Sequence, residues 1–240
     1  MVDPANIDDV GGGGGIDITQ SVAQDCKVVV CGDARCGKTS LIQRFITDEF
    51  NEVYTPTSFD KYATTYNVGD HRIRYSIWDT SGAQAYDTVR PLAYQDTSVF
   101  LLCFHVGEPQ TLDNVVQKWY PEIRAHSDTA PIILCGCQVD LRHDIETISS
   151  LACNRLIPVT SEQAIAVSRQ IGAATYVETS AKTSNRGVRD GLEVAALAAL
   201  GKLNKHALRH RALTTKANKT NNKHDFKAEL KGRAKSCCIM

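Results

Sequence analysis

The chain has 240 residues, of which 42% are hydrophobic and 22% are charged, and its formal net charge is zero. These values are typical of one globular domain with tails. The longest apolar runs, such as Val99–Val106, fall far short of the ~20 residues that a membrane-spanning helix needs, and the first residues lack the basic start and apolar stretch of a secretory signal.

The two ends of the chain differ in charge. Residues 1–25 contain five Asp and no Lys or Arg, and they include the run Gly11–Gly15. Residues 204–240 contain ten Lys and Arg against two acids, a local charge of +8. We therefore predict a disordered, acidic, glycine-rich arm over residues 1–24 and a basic tail with little fixed structure over residues 204–240.

Strand-like and helix-like segments alternate between these ends. Strands are predicted at CKVVVC (26–31), KYATTYNV (61–68), HRIRYSIWD (71–79), VFLLCFHV (99–106), PIILCGC (131–137) and TYVETS (175–180). Helices are predicted at KTSLIQRFI (38–46), LDNVVQKWYPEIRAH (112–126), SEQAIAVSRQI (161–171) and VRDGLEVAALAALGKL (188–203). The dipeptide GD at 69–70 predicts a hairpin between the second and third strands. This order predicts an α/β domain over residues 25–203, with a mixed, mostly parallel six-stranded sheet flanked by helices.

The nine cysteines are odd in number and irregularly spaced. Several lie inside strand-like runs, as Cys31, Cys103 and Cys135 do. Without a secretory signal, this pattern favours reduced thiols in the cytosol. The sequence CGC at 135–137 has no matching Cys or His pair, so we expect no zinc site there.

The segment GDARCGKT (Gly32–Thr39) matches the phosphate-binding pattern G-x-x-x-x-G-K-[ST]. It follows a predicted strand and opens a predicted helix, which is the context that the motif requires. The glycines allow a nest of backbone N–H groups, and the helix adds its positive N-terminal end. Lys38 supplies charge for the outer phosphates, and the Thr39 hydroxyl can bind Mg²⁺. The motif alone does not separate ATP from GTP.

Two other loops indicate a guanine base. Asp140 follows the strand PIILCGC, and its carboxylate can accept two hydrogen bonds from guanine. The segment ETSAK (178–182) follows the last strand, where a second base-contacting loop is expected. Either signal alone is weak, but both occur at the ends of the appropriate strands.

These motifs resemble the Ras superfamily of small GTPases over roughly residues 25–203. The segments YTPTSFD, SIWDTSG and YDTVRPLAY, with an insert at about 142–158, are similar to the Rho family. DTSG, RQIGAATY, VRD and the ending AKSCCIM resemble its atypical Rnd subgroup. The resemblance implies a P-loop NTPase G domain with a Rho-type insert helix.

The resemblance also implies roles for individual residues. Phe50 would pack against guanine, Thr57 would bind Mg²⁺ and the γ-phosphate, and the Gly82 N–H would contact the γ-phosphate. The implied nucleotide-binding residues are Asp33, Ala34, Arg35, Cys36, Gly37, Lys38, Thr39, Ser40, Phe50, Tyr54, Thr57, Gly82, Gln138, Asp140, Ser180, Ala181 and Lys182. The implied magnesium ligands are Thr39, Thr57 and, through water, Asp79.

Several residues depart from the family pattern around one chemical step. Ala83 stands where the family has the glutamine that orients the attacking water, and Ser81 and Ala34 replace small residues beside it. A side chain at Ala34 crowds the space of that glutamine and of an incoming arginine. We therefore expect that no catalytic set is intact and that hydrolysis is very weak or absent. Gln84 stands one position late and is expected at the surface.

Two further departures concern binding. Arg35 replaces a small residue, and it either screens phosphate charge in solvent or acts as a built-in arginine finger. Gln138 replaces the family's usual lysine, whose stem lies over the base and whose amine ties loops together. We expect weaker nucleotide binding, with guanine preference retained through Asp140.

The ending CCIM places Cys237 four residues from the last residue, as in a farnesylation signal. One lipid chain binds membranes marginally, and the nearby Lys227, Lys231, Arg233 and Lys235 would supply the second signal. A nucleic-acid-binding tail is not expected, because Phe226 is its only aromatic residue.

These observations lead to a hypothesis with two alternatives. The first is a monomeric, membrane-anchored, Rnd-like protein that stays bound to GTP and Mg²⁺ on the cytoplasmic face of the plasma membrane, with a cytosolic pool. The resemblance implies effects on the actin cytoskeleton and adhesion, with plexins, Rho kinases and Rho GTPase-activating proteins as partners. The alternatives are a conventional hydrolysing switch and a nucleotide-free interaction module.

Overall fold

The computed structural model describes residues 23–201. Residues 1–22 of the predicted acidic arm, the basic tail and Cys237 lie outside the described residues, and what the sequence predicts for them stays a prediction. The predicted end of the arm at residue 24 is wrong, because Gln24 already belongs to a strand that pairs with its neighbour. No helix within residues 23–201 is both long and apolar enough to cross a membrane.

The domain is built on one six-stranded sheet with the order β2-β3-β1-β4-β5-β6. The strands are β1 (Gln24–Gly32), β2 (Phe59–Val68), β3 (His71–Thr80), β4 (Val99–His105), β5 (Ile132–Cys137) and β6 (Thr175–Glu178). Only β2 and β3 pair antiparallel, in a hairpin closed at Gly69, whose φ of 57° suits glycine. The other neighbouring pairs are parallel. The predicted mixed, mostly parallel sheet is confirmed.

Six α-helices flank the sheet within the described residues. They are α1 (Lys38–Thr47), α2 (Pro109–Asn114), α3 (Tyr120–His126), α4 (Ile145–Cys153), α5 (Ser161–Gln170) and α6 (Asn185–Ala199). The single helix predicted over 112–126 begins earlier, and the π-helical turn Val115–Trp119 divides it into α2 and α3. Pro121 follows this turn and has no N–H to donate, so the regular α-helical ladder cannot run through unchanged.

Alternate residues of the central strand enter two separate cores. In β1, Val28 and Val30 belong to the cluster on one face, and Val29 and Cys31 belong to the cluster on the other. All four side chains are fully buried. Burying each valine contributes ~1.5–3 kcal/mol, which explains why this strand reads as an unbroken apolar run instead of an alternating one.

Helix α4 lies within the predicted insert of residues 142–158. Its N-cap is Asp144, whose carboxylate accepts a hydrogen bond of 2.8 Å from the Thr147 N–H. At its base, Arg142 pairs with Glu178 of β6 at 2.8 Å. The insert is thereby anchored to the sheet at one point, while none of the α4 residues is buried.

The parallel strands β1, β3, β4, β5 and β6 all end at the same edge of the sheet. The phosphate loop (32–39) leaves β1 at this edge. Two long connections also reach it: residues 48–58 between α1 and β2, called switch I here, and residues 81–98 between β3 and β4, called switch II. In open α/β sheets this edge is where ligands bind.

Candidate functional site

A cavity of about 740 Å³ opens at the carboxyl edge of the sheet. Its lining comes from the phosphate loop, both switches and the loops after β5 and β6. The predicted nucleotide-binding residues that line it are Ala34, Arg35, Gly37, Lys38, Thr39, Ser40, Phe50, Tyr54, Thr57, Gly82, Gln138, Asp140, Ala181 and Lys182. Residues that are widely separated in sequence therefore converge on one volume large enough for a nucleotide.

The phosphate loop forms a cradle of backbone groups. Gly32 has a φ of 135°, and a Cβ there would lie 2.1 Å from the carbonyl oxygen of Cys103, so only glycine fits. Gly37 has a φ of 95° at the N-cap of α1, and no side chain caps that helix. The first N–H groups of α1 therefore stay available to an anion.

Lys38 lies along this cradle. It is 6% exposed, and its ammonium donates to the carbonyl oxygens of Gly32 at 2.9 Å and Asp33 at 2.7 Å. These bonds hold the ammonium group of Lys38 against the phosphate loop. The motif predicts that this lysine contacts the outer phosphates.

Three of the predicted nucleotide-binding residues, and the predicted magnesium ligand Asp79, do not line the cavity. The Asp33 carboxylate turns inward and accepts hydrogen bonds from Asn114 at 2.7 Å and from the Trp119 indole at 2.8 Å. Cys36 is fully buried, and its sulfur lies 3.7 Å from the Cys103 carbonyl oxygen. Ser180 is buried and donates to the Asp140 carboxylate. These three side chains make contacts within the protein. Any contact of these residues with a nucleotide would therefore come from their backbone groups or from a neighbouring residue.

The three predicted magnesium ligands lie together. The hydroxyls of Thr39 and Thr57 are 2.7 Å apart, and Thr39 donates to Oδ2 of Asp79 at 2.6 Å. Oδ1 of Asp79 is buried without a hydrogen-bond partner. Burial raises the pKa of Asp79 to about 6, although the Thr39 hydrogen bond acts in the opposite direction. An orphaned carboxylate oxygen beside two hydroxyls fits a hard divalent cation with oxygen ligands.

Switch II lies directly against the phosphate loop. A Cβ on Gly82 would lie 2.2 Å from the Ala34 nitrogen and 2.5 Å from the Gly32 carbonyl oxygen, so the two loops touch at this glycine. Ala83 lines the cavity beside it, whereas Gln84 is exposed and does not line the cavity. The Ser81 hydroxyl accepts a hydrogen bond of 3.3 Å from the Ala83 N–H. Ala34 and Ala83 thus flank one contact between the loops.

Side chains of other loops attach switch I to the rest of the site. The Arg35 guanidinium carbon lies 5.2 Å from the centroid of the Tyr54 ring. Lys182 forms an ion pair of 3.0 Å with Glu52 of switch I. Together with the Thr39–Thr57 contact, these interactions attach switch I at three separate points.

The base-binding loop is attached to the phosphate loop through Gln138. Its side-chain amide donates to the Arg35 carbonyl oxygen at 3.1 Å, and both residues adopt positive φ, 58° and 63°. The Val139 N–H donates to the Thr179 carbonyl oxygen at 3.2 Å. The glutamine therefore provides a neutral tie between loops in the place where the family uses a charged amine.

A buried arginine that the sequence did not single out organises switch II. Arg90 is 2% exposed, donates to both oxygens of Glu122 at 2.8 and 2.7 Å, and donates to the Ser81 carbonyl oxygen at 2.9 Å. Its guanidinium carbon lies 4.4 Å from the centroid of the Trp119 ring. Burial alone would lower the pKa of Arg90, but the hydrogen bonds to Glu122 and Asp87 raise it. The sequence signal that could have identified this residue is an arginine within the largely apolar stretch VRPLAY (89–94).

The comparison with known proteins accounts for this arrangement. A family model described as Ras family matches residues 27–198. The chain therefore belongs to the Ras family. The Rho-related GTP-binding protein RhoE of Homo sapiens is 42% identical over 223 residues, which cover 90% of this chain and 91% of RhoE.

Two fungal relatives extend the match. GTP-binding protein RHO1 of Saccharomyces cerevisiae is 45% identical over 174 residues, covering 72% of this chain and 83% of RHO1. GTP-binding protein RHO1 of Candida albicans is 44% identical over 174 residues, which cover 72% of this chain and 87% of that protein. The predicted Rho-family, Rnd-like membership is confirmed. The protein is a Rho-family GTP-binding protein that resembles RhoE, with a Ras-type G domain.

Proposed function

We propose that this Rho-family protein holds GTP and Mg²⁺, hydrolyses GTP very slowly or not at all, and signals from the membrane while it remains GTP-bound. The observation that carries the proposal is the composition of the cavity wall. Lys38, Thr39 and Thr57 line the cavity, whereas Ala83 stands where the family resemblance implies the water-orienting glutamine, and Gln84 does not line the cavity.

Nucleotide binding would use groups that are already oriented. Lys38 and the open N-terminus of α1 would bind the phosphates, and Asp140, held by Ser180, would select guanine. Thr39, Thr57 and Asp79 would hold Mg²⁺, which when bound neutralises charge on the β- and γ-phosphate oxygens. Each of these groups contributes to affinity without requiring a catalytic side chain.

Hydrolysis would fail for two reasons. The methyl group of Ala83 can neither donate nor accept a hydrogen bond, so it cannot orient a water molecule. The backbone of Ala34 lies against Gly82, and a methyl group at this position would crowd the space in which a glutamine and an external arginine have to close together. An arginine finger contributes about 10³–10⁵ in rate when that closure occurs, so its loss would leave the nucleotide intact for long periods.

Signalling would pass through the exposed apolar side chains of the switches. Val53 and Tyr54 of switch I are 74% and 51% exposed, Val89 and Leu92 of switch II are 50% and 71% exposed, and Phe59, at the start of β2 beside switch I, is 44% exposed. Exposed apolar groups beside a nucleotide-sensing site suit protein partners. We propose Rho-family effectors and regulators, such as plexins, Rho kinases and Rho GTPase-activating proteins, acting on the actin cytoskeleton and adhesion. Farnesyl on Cys237 and the basic tail would hold the protein at the cytoplasmic face of the plasma membrane.

Nucleotide content and single-turnover hydrolysis together test this proposal. The purified full chain is analysed for bound nucleotide, then loaded with γ-labelled GTP and followed with and without a Rho GTPase-activating protein. A conventional Rho-family GTPase is the positive control, and Lys38→Ala sets the level expected without phosphate binding. We expect bound GTP with no stimulated phosphate release.

The other outcomes point to the alternatives. Prompt release of phosphate that the activating protein accelerates would establish a conventional switch. A folded protein that retains no more nucleotide than Lys38→Ala would establish a nucleotide-free interaction module. Either result would overturn the proposal.

A further inference from the structure

Three cysteine side chains from neighbouring strands meet beside the nucleotide cavity. Cys103 belongs to β4, and Cys135 and Cys137 belong to β5; their sulfur atoms all lie within 4.8 Å of one another. Cys103 and Cys135 are paired in the parallel register, and Cys137, two residues further on, returns to the same face. In the sequence, CGC has no matching Cys or His pair that could complete a metal site. In the structure, the register of β4 against β5 places a third sulfur, that of Cys103, beside the two of CGC.

The spacing of the sulfur atoms suits a metal ion held by three thiolates. The sulfurs of Cys135 and Cys137 are 3.8 Å apart. An ion at the centre of a trigonal site with metal–sulfur bonds of ~2.3 Å requires sulfurs ~4 Å apart. The Cys135–Cys137 spacing already fits this geometry, and the other two sulfur–sulfur distances, at most 4.8 Å, need only small shifts.

The surroundings also suit a metal ligand set. All three cysteines are at most 2% exposed, so the site is shielded from solvent. The Thr179 hydroxyl lies 3.5 Å from the Cys135 sulfur, where it can hydrogen-bond to a thiolate. Cys137 lines the nucleotide cavity, which provides an ion with a route from solvent to the otherwise buried cluster.

Cysteine can also serve as a small apolar core residue. That role does not require three sulfurs to share one centre, and valine fills the comparable positions of the same core, at Val28 and Val30. The convergence of the sulfurs and their access to the cavity distinguish the cluster from simple packing.

We propose that Cys103, Cys135 and Cys137 form a buried site for one Cu(I) ion in trigonal thiolate coordination. Thiolates select soft ions such as Cu(I), whereas Zn²⁺ sites are almost always four-coordinate. Among the described His, Cys, Asp and Glu side chains, only these three form a group close enough to share an ion. Each thiol that becomes a ligand releases its proton to solvent, and copper remains Cu(I) throughout.

Occupation of this site would act on the base-binding loop. Cys137 directly precedes Gln138, and the Asp140 loop begins there. An ion that binds Cys137 to β4 would fix the start of this loop. The inference is independent of the hydrolysis proposal, because it concerns binding of a metal to thiols that touch neither Ala34 nor Ala83.

An anaerobic Cu(I) titration tests the site. The full chain is prepared with Cys153→Ser, Cys237→Ser and Cys238→Ser, which removes the exposed cysteine and the two in the tail. Cu(I) is supplied from a bicinchoninate complex, and X-ray absorption is recorded on the loaded protein. We expect one Cu(I) per chain with only sulfur neighbours at ~2.3 Å.

Matched variants on the same background localise the ion. Cys135→Val and Cys103→Ala should weaken Cu(I) binding at least ~100-fold, since even outer-shell changes cost ~10–100-fold. Cys26→Val and Cys31→Val are controls, because these two cysteines are equally buried but lie outside the cluster. Far-ultraviolet circular dichroism and thermal unfolding check that each variant is folded.

Two results would overturn the proposal. One is a background protein that takes no stoichiometric Cu(I) from bicinchoninate or shows nitrogen or oxygen neighbours. The other is a folded Cys135→Val variant that binds Cu(I) as tightly as its background. The absorption measurement on the background protein, in which the cluster is intact, can overturn the proposal even if a variant fails to fold.

Discussion

Arg35 of the phosphate loop stacks on Tyr54 of switch I, with the guanidinium carbon 5.2 Å from the ring centroid. Arg35 reaches this position from a backbone φ of 63°. The contact joins two loops that both line the cavity, so it would hold them together around a bound nucleotide. The sequence left open whether Arg35 is solvated or acts on the phosphates; in the structure its side chain is exposed and also contacts switch I, and its action on phosphates stays a prediction.

Loss of this contact should speed nucleotide release. An exposed cation–π contact contributes ~0.5–1 kcal/mol, so we expect Arg35→Ala to raise the dissociation rate of a fluorescent GTP analogue about two- to fivefold. Tyr54→Ala should have a similar effect, whereas Tyr54→Phe keeps the ring and should dissociate at the parent rate.

A double-mutant cycle separates this contact from loss of charge at the phosphates. If the two residues act together, Arg35→Ala combined with Tyr54→Ala should release nucleotide no faster than either change alone. Fully additive effects would show that Arg35 acts on the phosphates instead of on Tyr54.

Gln138 should strengthen nucleotide binding through its bond to the phosphate loop. Its amide donates to the Arg35 carbonyl oxygen at 3.1 Å, and a neutral hydrogen bond contributes ~1 kcal/mol. We expect Gln138→Ala to weaken GTP binding about fivefold in equilibrium titrations. Gln138→Lys, which restores the family's residue, should bind at least as tightly as the parent; weaker binding by this variant would contradict the assigned role.

The segments that the sequence predicted well are those governed by local pattern. The β-branched run around Val28–Val30 and the GD turn at 69–70 specify a buried strand and a hairpin from neighbouring residues alone. The strand extends to Gln24, two residues earlier than expected, because pairing with β3 continues beyond the apolar run.

Relationships between distant residues could not be predicted in the same way. Arg90 and Glu122 are 32 residues apart in sequence, and nothing local requires their pairing. Asp33 was placed correctly in the phosphate loop, but its carboxylate turns toward Trp119 because the loop's fold fixes that direction. The three-cysteine cluster likewise depends on the register of β4 against β5.

The buried Arg90–Glu122 pair should stabilise the fold. The Arg90 side chain is 1% exposed and that of Glu122 is 14% exposed. Removing one partner of a buried pair leaves an uncompensated charge and costs ~3–5 kcal/mol. Glutamine can still accept a hydrogen bond from Arg90. We therefore expect Glu122→Gln to lower the free energy of unfolding, measured in urea, by an amount near the lower end of that range. Glu108→Gln, outside this network, is the control. If Glu122→Gln unfolded at the same urea concentration as the parent, solvent would already screen the charge pair.

The Arg142–Glu178 pair should make stability depend on pH. Burial alone would raise the pKa of Glu178, but hydrogen bonds from Arg142 and Ser161 outweigh it and hold the pKa below its ordinary value of 4.5. A carboxylate with a lowered folded-state pKa contributes stability above the unfolded pKa and loses it as pH falls through the folded value. We expect Glu178→Gln to be less stable than the parent at pH ~7 and to approach the parent as the pH falls below ~4.

Chemical denaturation at several pH values measures this difference. Glu146→Gln, a change on the exposed insert helix α4, should leave the difference from the parent nearly constant with pH. If Glu178→Gln remained less stable than the parent by the same amount at acid pH, the loss of stability would come from packing and not from the charge pair.

Restoring hydrolysis should require changes at both Ala34 and Ala83. Ala83→Gln supplies a side chain that can orient water, but the methyl group of Ala34, whose backbone lies against Gly82, would still crowd the space of that side chain. Ala34→Gly opens that space without supplying the glutamine. We expect each single variant to remain close to the parent, and the double variant to gain at least ~10³-fold in single-turnover hydrolysis with a Rho GTPase-activating protein.

The control for this restoration is Gln84→Ala in the double variant. Gln84 is exposed and does not line the cavity, so its removal should leave the restored rate unchanged. Stimulated hydrolysis by Ala83→Gln alone would show that the Ala34 methyl does not obstruct closure, and the lost glutamine would then account for the whole defect. A double variant that binds GTP but stays inactive would instead place the block elsewhere, with Ser81 next to be changed, because its hydroxyl fixes the Ala83 N–H at 3.3 Å.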